Sequence, residues 1–133
     1  MSWQAYVDTS LVGTGHLNKA AIISAAGDST WASTPDFVVE PEEMAEISKI
    51  LAEEGNGPAV TKAFQERFKV AGVRYMAYDI QDRHLYGREG RTGVIVVKTK
   101  QAILIGYYGE EGVVGNATTT VEALADYLIQ QGY

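Results

Sequence analysis

The sequence predicts an α+β fold built on an antiparallel β-meander, and three observations carry that prediction. From Arg67 onward, short apolar runs are separated by turns too short for a crossover helix, so successive strands must be antiparallel neighbours. Residues 94–97 and 103–105 are apolar without alternation, which requires cover on both faces of the central strands. Each end of the chain carries a helix whose apolar stripe needs a sheet to pack against.

The elements follow in order. Residues 2–13 read as a short helix, with Ser2 as N-cap, Gly13 as its stop, and Val7 and Leu11 on the face that reaches a core. Trp3 and Tyr6 lie three apart on a neighbouring face. Two readings are open for them: rings that pin the helix to the body, or part of a wet aromatic platform. Gly13-Thr14-Gly15 turns the chain; it follows a helix and lacks a third glycine, so it is not a dinucleotide fingerprint. Residues 20–26 form a buried strand around Ile22-Ile23. Gly27-Asp28 reverses it into a second strand over residues 30–33, which places Trp31 near a sheet edge or end.

Glu40-Pro41-Glu42-Glu43 opens the next helix, with proline in the first turn and carboxylates at the positive end of the dipole. Met44, Ile47, Ile50 and Leu51 form its apolar stripe, and Gly55 ends it. Glu42, Glu43 and Glu46 have no histidine nearby and read as solvated surface rather than a metal site. Residues 59–65 make a further short helix. The meander then runs through residues 67–70, 73–80, 84–88, 93–98 and 102–108, with Gly72 supplying its first turn. After a loop over residues 109–115, the last helix runs from Asn116, its expected cap, to Gln131. Val121, Leu124, Ala125, Leu128 and Ile129 form its core stripe, with Tyr127 beside that stripe and Tyr133 beyond it.

Composition narrows the function classes. A chain of 133 residues is one domain with a core of its own. The absence of cysteine excludes disulfides, thiolate zinc sites and cysteine nucleophiles. No stretch approaches the ~18 apolar residues of a membrane span, and the N-terminus has no signal-peptide pattern, so the expected setting is cytoplasmic. The Asn116-Ala117-Thr118 sequon is idle in that setting. A net charge of −6 argues against a nucleic-acid binder. Residues 66–100 nevertheless hold eight basic against four acidic side chains, or +4, which leaves −10 elsewhere. That asymmetry favours an acidic partner on the meander.

Docked side by side on the sheet, the two terminal helices would gather Trp3, Tyr6, Tyr127 and Tyr133 into one groove, with Trp31 as a fifth ring. Such a groove suits a polyproline II ligand, whose rings stack between aromatics while Trp and Tyr polar groups bond its exposed carbonyls. The chain has three prolines and no Pro-x-x-Pro, so it would be the reader and not the ligand.

From end to end the chain resembles profilin, the family of small actin-monomer-binding proteins. The resemblance is carried by Ser2-Trp3-Gln4-Ala5-Tyr6-Val7-Asp8 with Leu11-Val12-Gly13-Thr14-Gly15, and by Asp28-Ser29-Thr30-Trp31-Ala32. Asp82-Arg83, Tyr86-Gly87-Arg88, Val97-Lys98-Thr99-Lys100-Gln101 and Leu124-Ala125-Asp126-Tyr127-Leu128-Ile129 follow the fungal, amoebal and plant type. It implies terminal helices packed together on one face of the sheet, with shorter helices on the other. It also implies a poly-proline groove of Trp3, Tyr6, Trp31, Tyr127 and Tyr133, the Tyr127 position being histidine in vertebrate relatives. A separate actin site is implied at Arg74, Met76, Arg88, Val113, Gly115, Thr118 and Thr119, with Lys98 and Lys100 as additions. Vertebrate members have basic character near Thr119, where this chain has Thr118-Thr119-Thr120. The helix at residues 41–52 and the loop to Gly57 run longer than the amoebal type implies.

The implied function is to bind monomeric actin, deliver it, and promote its nucleotide exchange by preferring an open state of actin. Proline-rich ligands of formin-type assembly factors would dock in the groove. Phosphatidylinositol bisphosphate, which the family meets through basic patches, would bind weakly given the −10 outside the basic segment. No cofactor, metal or catalytic residue is implied. A competing enzyme reading has only His16 and His84 to work with, and neither sits in a nucleophile motif. A small-ligand-binding regulatory sensor domain of similar architecture would bind on the sheet and would not need aromatics at both ends.

Overall fold

Strands β6 (Thr92–Lys98) and β7 (Ala102–Tyr108) lie at the centre of the computed structural model, which describes residues 2–133. Their side chains alternate into two cores. Val94, Val96, Ile103 and Ile105 face one layer of helices, and Ile95, Val97 and Leu104 face the other. The remaining strands are β1 (Lys19–Ser24), β2 (Thr30–Ser33), β3 (Phe68–Val70), β4 (Val73–Gln81) and β5 (His84–Glu89). Among the described residues, these seven form one antiparallel sheet in the order β2-β1-β7-β6-β5-β4-β3. The meander and the first hairpin are therefore joined by the pairing of β1 with β7, Lys19 opposite Tyr107 and Ser24 opposite Ala102.

One helical layer holds the N-terminal helix and α4 (Val114–Gln130). Val7 and Leu11 from the first, and Val121, Leu124, Ala125 and Leu128 from the second, close over Ile22, Ile95, Val97 and Leu104. The other layer holds α2 (Pro41–Ala52) and α3 (Pro58–Glu66), whose Met44, Ile47, Ile50, Leu51, Val60 and Ala63 meet Ile23, Val94 and Ile103. Each large side chain buried this way is worth about 1.5–3 kcal/mol relative to exposure. Gly106 in β7 lets α4 come close: a Cβ there would stand 2.9 Å from both Leu17 and Val121. The α+β class, the layers and the meander are those the sequence predicts.

Three local readings are corrected. The N-terminal helix does not stop at Gly13: α1 (Trp3–Ala5) continues through a π-helical stretch (Tyr6–Leu11) and a 3-10 turn (Val12–Thr14). Gly13 serves a close approach instead, because a Cβ would lie 2.7 Å from the Asp8 carbonyl oxygen, and Gly15 at φ 83° ends the helix. The Ser2 cap does form, its hydroxyl accepting the Ala5 N–H at 3.1 Å. Helix α4 begins at Val114 with extended Val113 as its N-cap, so Asn116 is already inside the first turn; the Ala117 N–H donates to the Val113 carbonyl at 3.0 Å.

The third correction concerns Glu43, which is buried rather than solvated. Its carboxylate accepts the N–H groups of Glu40 (2.9 Å), Ala71 (2.8 Å) and Gly72 (2.9 Å). The first bond completes a capping box on α2. The other two hold the β3–β4 turn, where Ala71 is in the left-handed region at φ 50° and Gly72 at φ 87°. A non-glycine residue is strained there, and the buried acid offsets that strain while satisfying three donors at once. Glu43→Ala is expected to lower the unfolding free energy by about 2–3 kcal/mol, since it leaves three partly buried N–H groups without their carboxylate. Urea denaturation followed by circular dichroism checks this; a loss under ~1 kcal/mol would mean that the turn is held elsewhere.

Candidate functional site

The burial of Val7 and Leu11 turns the adjacent flank of the N-terminal helix toward α4, and that flank carries Trp3 and Tyr6. Strand β2 brings Trp31 beside them, α4 brings Tyr127, and the segment after α4 brings Tyr133. Trp3 is the hub of the cluster. Its ring centroid lies 4.9 Å from Trp31, 5.3 Å from Tyr133 in an edge-on contact, and 5.8 Å from Tyr6. Tyr6 in turn lies 6.3 Å from Tyr127. Tyr127 and Tyr133 remain 46% and 42% exposed, whereas Tyr6 is 7% exposed, so the rings form a wall with an open side. They line a cleft of about 250 Å³ together with Gln131, while Trp31 backs Trp3 from β2. Burial first, and the neighbouring Tyr127 hydroxyl second, push the Tyr6 phenol above its ordinary pKa, so it stays a neutral hydrogen-bonding group. Such a cleft stacks flat apolar rings and offers hydroxyl and indole N–H groups to carbonyl oxygens.

Two contributors are not evident from the sequence. Gln131 follows the helix and has no pattern to mark it. Gln4 ties the N-terminal helix to β2, its side-chain amide donating to Asp8 Oδ1 and to the Ser33 carbonyl, each at 3.0 Å. Its place between the two aromatic positions of Trp3 and Tyr6 was the one available hint.

A second surface lies at the opposite end of the strands. Met76 on β4 pairs with Arg88 on β5, and both lie on the terminal-helix side of the sheet, beyond the strands that α4 covers. Arg74 is exposed on the same strand. Beside them stands Tyr78, with the Arg88 guanidinium 5.8 Å from its ring centre, and Val113, the N-cap of α4, is exposed. Alternation along β4 puts Arg74, Met76 and Tyr78 on this face, and a bulge between Ala77 and Asp79 then returns Ile80 to the opposite core beside Tyr75 and Ala77. Gly115, Thr118 and Thr119 follow Val113 on the first turns of α4. Lys98 and Lys100 are not part of this group. Lys98 shares its sheet face with Val94 and Val96, and both lysines line a separate cleft with Leu51, Glu54, Asp82 and Arg83.

The docking of α4 on this half of the sheet is fixed by one carboxylate. Glu122 accepts from Arg83 at 2.7 Å and from the Tyr86 hydroxyl, and Asp126 takes Arg83 at 2.8 Å. His84 stacks on Tyr86 at 4.1 Å, with Nε2 3.2 Å from an Asp79 oxygen and Nδ1 3.8 Å from Glu122. The imidazole belongs to the seam between sheet and helix. Among the described residues, no group of three or more His, Asp or Glu could hold a metal ion, and no helix is long and apolar enough to cross a membrane.

The family model for profilin matches residues 1–133. The chain belongs to the profilin family. Profilin-2 of Acanthamoeba castellanii is 46% identical to it over the full length of both chains, and the profilin of Schizosaccharomyces pombe 43%. The crystal structure of Acanthamoeba castellanii profilin II superposes with a TM-score of 0.91, covering 99% of this chain and all of the other at 45% identity. Mouse profilin IIa, solved in complex with a double repeat from the FH1 domain of mDia1, shares the fold at a TM-score of 0.78 and 18% identity over the whole of both chains. Profilins are actin-binding regulatory proteins rather than enzymes, in keeping with the seam role of His84.

Five tyrosines of this profilin titrate late. Burial is the leading cause at Tyr6, Tyr75, Tyr78, Tyr86 and Tyr108, reinforced at Tyr86 by Glu122 and opposed at Tyr108 by Tyr78 and Arg88. Tyr78 is pushed up to about 12. A phenol whose pKa is higher folded than unfolded gives stability that is complete below the unfolded value of about 10 and is lost as pH rises through the folded value. Stability should therefore fall between about pH 10 and pH 12. Absorbance at 295 nm should show phenolate appearing late for these rings; eight ordinary phenol titrations would contradict the burial argument.

Proposed function

We propose that this profilin binds monomeric actin through Arg74, Met76, Arg88, Val113, Gly115, Thr118 and Thr119, and proline-rich ligands through Trp3, Tyr6, Trp31, Tyr127 and Tyr133. The observation that carries the reading is the aromatic cleft: Trp31, Tyr133 and Tyr6 gather round Trp3, Tyr127 joins through Tyr6, and the rings leave an open slot with polar tips. A polyproline II segment presents rings and unpaired carbonyls at matching intervals and is already extended, so little order is lost on docking. The FH1 double repeat held by mouse profilin IIa supports this choice of ligand. The actin surface combines cationic Arg74 and Arg88 with exposed Met76 and Val113, a mixture suited to an acidic partner with an apolar centre. Lys98 and Lys100 lie on another face and are assigned no part in it.

The two surfaces sit at opposite ends of the strands, so an actin monomer and a proline-rich segment of a formin-type assembly factor can be held together. Delivery of monomers follows from that arrangement. Faster nucleotide exchange on actin follows if the surface prefers an open actin, since binding shifts the equilibrium by its differential affinity. No step requires chemistry from the chain itself.

Titration of intrinsic fluorescence with a poly-L-proline peptide should show a saturable change, and Trp3→Ala should weaken binding roughly 30-fold or more. Arg88→Glu should weaken actin binding roughly tenfold or more and leave poly-L-proline binding intact; equal loss of both would point to misfolding. Co-sedimentation with vesicles containing phosphatidylinositol bisphosphate should recover little protein at physiological salt, given the net charge of −6. Recovery equal to that of a basic profilin would overturn the lipid expectation.

A further inference from the structure

Thr99, in the turn between β6 and β7, is one of few buried polar residues, only 6% exposed. Its hydroxyl stands 2.9 Å from the backbone oxygen of Tyr133 and 3.3 Å from the Ala102 carbonyl, and it accepts the Ala102 N–H at 3.1 Å. A hydroxyl has one proton to give, and the shorter contact takes it. The Gln101 N–H donates to the same Tyr133 oxygen at 2.6 Å, and the Tyr133 N–H returns to the Leu128 carbonyl at 2.9 Å. Between them, Gly132 at φ 93° turns the chain back from the end of α4.

The backbone of Tyr133 is therefore fastened at both its N–H and its oxygen, although its ring is 42% exposed and meets Trp3 edge-on at 5.3 Å. Without the turn to hold it, a residue beyond a helix end would sample many conformations, and a ligand would have to order it on binding. We propose that Thr99 is a positioning residue for the aromatic cleft: its hydroxyl, with the Gln101 N–H, sets Tyr133 against Trp3 before a ligand arrives. The inference rests on the reading of that cleft as the proline-rich ligand site. It gives the β6–β7 turn a role in a cleft to which it contributes no ring.

The test compares wild type with Thr99→Val, which keeps the shape but removes both the donor to Tyr133 and the acceptor for the Ala102 N–H, and Thr99→Ser, which restores both. Ile23→Val, in the core of the opposite face, serves as a control for lost stability alone. Thr99→Val should bind a poly-L-proline peptide roughly 3- to 10-fold more weakly, the size of one lost hydrogen bond, while Thr99→Ser stays within about twofold of wild type. Ile23→Val should bind as wild type does. Near-ultraviolet circular dichroism of the free proteins, which reports the Trp3–Tyr133 pairing, should change in Thr99→Val and return in Thr99→Ser. Wild-type affinity in Thr99→Val, or equal weakening in Ile23→Val, overturns the proposal. Failure of wild type to bind the peptide overturns the reading of the cleft, while the free-protein spectra still decide on Thr99: an unchanged Thr99→Val spectrum counts against it. Should Thr99→Val fail to fold by far-ultraviolet circular dichroism, Thr99→Ala carries the same expectations.

Discussion

The two-sided burial of β6 and β7 is the constraint from which the rest follows. Neighbouring side chains on these strands point in opposite directions, and almost all are apolar, so neither sheet face can be left to water. The middle of the chain supplies α2 and α3 for one face. The other must be covered by elements at the two ends, the N-terminal helix and α4, which are forced side by side. Their apolar stripes are consumed by the sheet, and their flanks come together. The aromatic cleft is a by-product of that docking, built from rings that flank those stripes, with Tyr6 shared between cleft and core.

Apolar contact alone would let helices slide over a sheet; polar ties fix where they sit. Glu43 joins α2 to the β3–β4 turn, and Glu122 joins α4 to β5 through Arg83 and Tyr86. Thr99 and Gln101 join the β6–β7 turn to Tyr133. Each tie crosses between elements far apart in sequence and satisfies groups that would be costly to bury unpaired. Their geometry tolerates little displacement, so they select one registry among the many that hydrophobic burial would accept.

The two proposed surfaces are built differently. The cleft takes its rings from four elements and is shaped by tertiary docking. The actin face is mostly the outer side of one strand pair, β4 and β5, extended by the start of α4. A strand pair projects side chains with a fixed period, so most of that face is readable as alternation: Arg74, Met76 and, across the ladder, Arg88. Tyr78 continues the same period and lies under the Arg88 guanidinium; the bulge breaks the period only beyond it, returning Ile80 to the other core.

The sequence by itself determined the element order, the meander, the stripes that reach the core and the rings that flank them. These depend on local period and turn chemistry, which a chain carries in its neighbouring residues. It misplaced Gly13, Asn116 and Glu43 because each is set by something distant or by exact backbone path. Gly13 answers the approach of the Asp8 carbonyl in a π turn, α4 starts early because Val113 accepts the Ala117 N–H, and Glu43 finds donors 28 and 29 residues away. The pairing of β1 with β7, the separation of Lys98 and Lys100 from Arg88, and the fastening of Tyr133 by Thr99 were decided by tertiary structure alone. Each is a contact between residues far apart along the chain, and local periodicity carries no record of which distant partner will meet it.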